Sequence, residues 1–257
     1  MRLLALVGAV ALLAGCRLDL NVAVDLAADG TGTVRVTATA DADLLARAPN
    51  AVSDLRLDDV KAAGWTVTGP SATESGGAQV VLTKPFGSPE QATAILAEIN
   101  GPSGPLRGLT LSQTREFATV TSSFNGEVRL DGGLGAFADQ ALVQVAGKVP
   151  LADQVAASGV PLDQALGLTV TVDLPGTVTA TNGTRGGGEV TWSPPLAEGQ
   201  STPLSADARK VDTVATRARS VEHWTQWALV GWGVLFALIV VLLVTLSLWR
   251  RRRSALR

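Results

Sequence analysis

Between residues 18 and 26, apolar and polar positions alternate without a break. Leu18, Leu20, Val22, Val24 and Leu26 fall on one parity, and Asp19, Asn21, Ala23 and Asp25 on the other. Strict period two predicts a strand with one buried and one wet face. Asp29-Gly30 supplies a tight turn. Val34, Val36 and Ala38 then alternate back against Arg35 and Thr37, which completes a hairpin. Residues 41–63 read as helical. Asp41 or Asp43 serves as the cap, and Pro49 breaks the segment into two short helices. Residues 65–67 and 78–86 read as strands. Ser88-Pro89-Glu90-Gln91 opens a further helix, with a capping residue, proline in the first turn and Gln three residues on. Ala92, Ile95, Leu96 and Ile99 make its apolar stripe. Asn100-Gly101-Pro102 stops it. Residues 109–130 are strand-rich, with breaks expected near Arg115-Glu116 and Asn125-Gly126. Alternation returns at Leu168, Val170, Val172 and Leu174. Turns follow at Pro175-Gly176 and Asn182-Gly183, and a last apolar pair stands at Val190 and Trp192.

The 37 residues from 131 to 167 follow neither pattern cleanly. They hold five charges: Asp131, Asp139, Lys148, Asp153 and Asp163. Leu134, Phe137, Ala141, Leu142 and Val145 share one helical face, the pattern of a helix packed on a sheet. The sharper reading is a pliable apolar flap over a pocket. Strands and helices are segregated along the chain, so the expected fold class is α+β. It comprises a mostly antiparallel sheet packed with helices, plus one C-terminal transmembrane helix.

Both ends of the chain are apolar. Met1-Arg2 is a positive start, and residues 3–13 are an unbroken apolar run of 11 residues. That is too short to span a bilayer, which takes about 20, and has the form of a signal peptide. Leu13-Ala14-Gly15-Cys16 follows, and Cys16 is the chain's single cysteine. The four residues resemble the lipobox of bacterial lipoproteins. That resemblance implies an acylated Cys16 and removal of residues 1–15. At the other end, residues 228–248 are 21 residues without a charge. At about 1.5 Å per residue they match the thickness of a hydrocarbon core. Trp224 and Trp227 lie before this stretch and Trp249 after it. Arg250, Arg251, Arg252 and Arg253 come next. Indole rings favour the membrane interface, and arginines flanking a span stay in the cytoplasm. The expected organisation is a signal peptide (1–15), an extracytoplasmic domain (16–208), a juxtamembrane linker (209–223), a transmembrane helix (224–249) and a cytoplasmic basic tail (250–257).

Charge narrows the partners. The stretch from Arg17 to His223 carries all 23 acidic residues and 15 basic ones, a formal charge of −8. The other six basic residues are Arg2, Arg250, Arg251, Arg252, Arg253 and Arg257. An acidic domain is a poor partner for nucleic acid, and it does not lie flat on an anionic membrane by charge attraction. Catalytic motifs are absent: there is no Gly-x-Ser-x-Gly, no His-Glu-x-x-His and no phosphate loop. His223 is the lone histidine, next to the expected span, so no histidine-rich metal site or Ser-His-Asp triad is available elsewhere. Asp25 and Asp29 do not match a calcium loop and read as turn chemistry. Asn182-Gly183-Thr184 matches a glycosylation sequon but reads as a turn. No cofactor, no metal and no enzymatic activity are expected.

Four features in this order carry a family likeness: the lipobox, "LNVAVDLAADGTGTVRV", "VDLPGTVTATNGTRGGGEVTW", and the terminal apolar stretch with its arginines. The chain resembles the LppM-type lipoproteins of actinobacterial envelopes. The resemblance implies an exported, membrane-attached domain with a curved sheet that binds envelope lipids or glycolipids, and it supplies no catalytic residues. The candidate lipid contacts are Leu134, Phe137, Leu142 and Val145. The alternative is a non-enzymatic scaffold whose partners are other envelope proteins. A roomy aliphatic cavity favours the first reading; a solid core with an exposed apolar patch favours the second.

Overall fold

The computed structural model describes residues 17–49, 57–100, 104–131 and 162–211. Eleven strands and four short helices lie among them. The strands are β1 (Leu18–Leu26), β2 (Gly32–Ala40), β3 (Thr66–Ala72), β4 (Ala78–Phe86), β5 (Leu106–Glu116), β6 (Thr119–Arg129), β7 (Leu166–Asp173), β8 (Thr177–Thr181), β9 (Thr184–Gly186), β10 (Glu189–Trp192) and β11 (Ser201–Val211). The helices are α1 (Ala42–Arg47), α2 (Asp58–Ala62), α3 (Pro89–Asn100) and α4 (Leu162–Ala165). Two units are distinguished. Residues 1–115 and 120–210 form the larger, and residues 116–119 with 211–257 the smaller.

The hairpin read from alternation is present. β1 and β2 pair antiparallel from Leu18 opposite Ala40 to Leu26 opposite Gly32. Gly30 adopts the left-handed conformation at the turn (φ +90°). Gly32 is needed for a different reason: a methyl group there would collide with the Asp25 carbonyl and the Phe86 ring. β1 pairs with β7 on its other side, in parallel, placing Leu18 beside Leu166 and Asp25 beside Asp173. The full order of this seven-stranded sheet is β3-β4-β2-β1-β7-β10-β9. A second sheet of four strands runs β5-β6-β11-β8. Val24, Val34, Val170 and Val172 from the first sheet share one core with Phe124, Val128 and Leu204 from the second. Phe124 and Trp192 close it, with ring centroids 5.8 Å apart.

The helix-packed α+β expectation is corrected. The described residues are mostly strand, in two sheets, and their helices are short. Only α3 reaches 12 residues, and it buries Pro89, Ala92, Ile95 and Leu96 against the core. The expected fold also included a transmembrane helix. Among the described residues no helix is long and apolar enough to cross a membrane. The stretch 228–248 on which that expectation rested lies outside them. The physical reason for the class error is local. β11 gives a weak period-two signal, because Ala206 and Ala208, both buried, add little hydrophobic contrast. β6 also runs unbroken through Asn125-Gly126, where a break was expected.

Candidate functional site

The end of the seven-stranded sheet where the chain enters is tightly built. The Arg17 backbone N–H donates to Asp41 Oδ2 at 2.9 Å, and the Asp41 N–H donates back to the Arg17 carbonyl at 3.0 Å. Asp41 Oδ1 accepts from the Leu44 N–H at 2.7 Å and caps α1. One carboxylate thus ties the first described residue to the first helix. The Arg17 guanidinium pairs with Asp19 at 2.8 Å. No residue of α1 is buried.

The opposite end carries acidic side chains. Asp25 and Asp173 stand beside each other on parallel strands, and Glu189 is opposite Asp173 on β10. Partial burial, and then the Asp25 charge, push the Asp173 carboxyl above the usual range. A side chain at Gly176, three residues past β7, would run into Arg209 and Lys210 of β11 in the four-stranded sheet.

A polar cluster joins α2, β4 and α3. Lys84 Nζ donates to Glu98 Oε2 at 2.8 Å and to the Ala63 carbonyl at 2.7 Å. It also lies 5.5 Å from the Trp65 ring centroid. The Trp65 indole N–H donates to Glu98 Oε1 at 3.1 Å. The Lys84 hydrogen bond, with help from Trp65, holds the Glu98 carboxyl below its usual range. Each group has a partner within the cluster, so it fastens the helices to the sheet.

A pocket of about 220 Å³ lies between the C-terminal half of α3 and the start of β5, lined by Leu96, Ala97, Asn100, Leu106, Gly108 and Leu109 among others. Drug-sized ligands occupy sites of roughly 300–1,000 Å³, so this space is small for a lipid.

The residues singled out from sequence all fall elsewhere. Cys16, the lipid-contact candidates Leu134, Phe137, Leu142 and Val145, and the interface residues Trp224, Trp227, Trp249, Arg250, Arg251, Arg252 and Arg253 lie outside the described residues. Asp41 is the position that sequence reading undervalued. It was read as one of two alternative caps, and its second bond, to Arg17, joins residues too far apart for a local pattern to show.

Fold and entry point define a class: a two-sheet β domain whose central strand starts two residues after a lone cysteine. The LppM domain family matches residues 16–210. The chain belongs to the LppM family, and it is an envelope lipoprotein of that kind. The NMR structure of the folded domain of Mycobacterium tuberculosis LppM is similar at 20% identity and a TM-score of 0.40, over 78% of this chain and 94% of that one. Among curated proteins none matches.

Proposed function

We propose that Cys16 is acylated after removal of residues 1–15, and that the domain it anchors is extracytoplasmic and binds membrane lipid or glycolipid. The anchor is supported by Leu13-Ala14-Gly15-Cys16 standing directly before an LppM domain. The lipid reading is carried by the sequence of the segment 131–167, which has five charges in 37 residues and places Leu134, Phe137, Leu142 and Val145 at near-helical spacing. In this reading the domain is a binding module and not an enzyme. Its net negative charge turns recognition toward acyl chains or neutral sugars and away from anionic head groups. The alternative is a scaffold reading, in which other envelope proteins are the partners.

Native mass spectrometry of the full-length protein, gently extracted from its membrane, separates the two. Lipid beyond the covalent anchor is expected on the wild type and is expected to be lost in Phe137→Asp, with circular dichroism unchanged. A folded wild-type protein that never carries lipid leaves the scaffold reading.

A further inference from the structure

We propose that the α1 end of the seven-stranded sheet is the face the domain turns to the bilayer, with α1 itself in contact with lipid. This rests on acylation of Cys16.

Three observations carry it. There is no slack between anchor and fold: both backbone groups of Arg17 are bonded to Asp41, and β1 begins at the next residue. One residue of chain spans at most about 3.6 Å, so the acyl chains at Cys16 start beside this end of the sheet. Second, the same Asp41 carboxylate caps α1 through the Leu44 N–H, fastening the helix to the attachment point. Third, α1 is largely apolar and only partly covered. Four of its six residues are Ala42, Leu44, Leu45 and Ala46, and none of the six is buried. Ala42 and Ala46 are exposed, while Leu44 and Leu45 are half-buried. α3 shows what this fold does with a helix that the core covers: it buries four residues. A six-residue helix has little stability from propensity alone. A bilayer surface a few ångströms away supplies the missing apolar cover, as it does for interfacial helices. Arg47, in the last turn of α1, is long enough to keep its charge among head groups while its stem stays apolar. The β1–β2 turn is then carried away from the membrane. β1 advances eight steps from Leu18 to Leu26, roughly 26 Å at about 3.3 Å per step.

Full-length protein in phosphatidylcholine vesicles tests this. Acylation consumes the only native thiol, so an introduced cysteine takes a fluorophore uniquely. Ala46→Cys labels α1, and Ala27→Cys labels the far turn; both positions are exposed. With nitroxide-labelled lipid in the vesicles, the label at 46 is expected to lose most of its fluorescence and the label at 27 to keep it. Adding Leu44→Ser and Leu45→Ser, which touches no buried side chain, is expected to weaken quenching at 46 with the acyl mass unchanged. An acylated protein whose label at 46 is quenched no more than that at 27 overturns the orientation alone. A protein without acyl mass overturns the anchor, and the orientation with it.

Discussion

The Asn182 carboxamide holds three partners at once. Its Oδ1 accepts from the Trp192 indole N–H at 2.8 Å and from the Ser205 backbone N–H at 2.9 Å. Its Nδ2 donates to the Pro203 carbonyl at 2.8 Å. The Thr-Asn-Gly and Val-Thr-Trp parts of the quoted motif are thus two halves of one contact, which also reaches β11. Asn182→Ala leaves two donors without an acceptor and is expected to cost about 1–3 kcal/mol, read as a lower urea midpoint. Asn182→Asp keeps the acceptor and is expected to lose less. Asp173 acts in the opposite sense. Its folded pKa is raised, so its charged form is penalised in the fold at neutral pH, and the penalty fades as pH falls through that raised pKa and is gone below the ordinary value of 3.8. Asp173→Asn is expected to raise Tm at pH 7, with the gain closing in acid. A variant less stable at pH 7 would show that the Asp173 charge is not strained.

At the scale of elements, α3 protects an edge. β5 is an outer strand of its sheet, and outer strands invite pairing with other chains. The Leu111 N–H donates to Thr93 Oγ1 at 3.0 Å, and the Leu106 N–H to Asn100 Oδ1 at 2.7 Å. Side chains of the helix thereby occupy donors that a foreign strand would use. Thr93→Val keeps the shape but leaves the Leu111 N–H unpaired, at about 1–3 kcal/mol. Faster amide exchange at Leu111 and a lower Tm are the expected readouts. The start of α3 was legible in advance. Ser88 Oγ accepts from the Gln91 N–H at 3.3 Å, and Gln91 Oε1 accepts from the Gly87 N–H at 2.7 Å. The reach back lands one residue earlier than in the ordinary capping box.

For the molecule as a whole, the attachment is the testable feature. Cys16→Ala is expected to yield a chain that retains residues 1–15 and takes up no labelled fatty acid, checked by intact mass and by autoradiography. Wild-type protein without fatty acid would refute the anchor. The fold is not expected to depend on it, because Arg17 is held by Asp41 and by its own ion pair with Asp19, independently of what precedes it.

What the sequence by itself determined is local and periodic. Residue parity placed β1, β2 and β7, because side chains of a strand alternate faces whatever the partner. Capping chemistry placed α3, because a helix start needs a side-chain acceptor within three residues. Composition marked the uncharged stretch, and likeness to the lipobox marked Cys16 as a candidate anchor. Parity cannot choose a neighbour, however, and only tertiary structure decided that β1 lies parallel to β7 and that eleven strands divide into two sheets. Nor could it join Asp41 to Arg17 or Asn182 to Trp192, since those bonds form only when distant strands are brought into register. The helix-packed α+β expectation failed for the same reason: the weight of strand in this fold comes from pairings such as β11 with β8, whose small side chains signal little until they are buried.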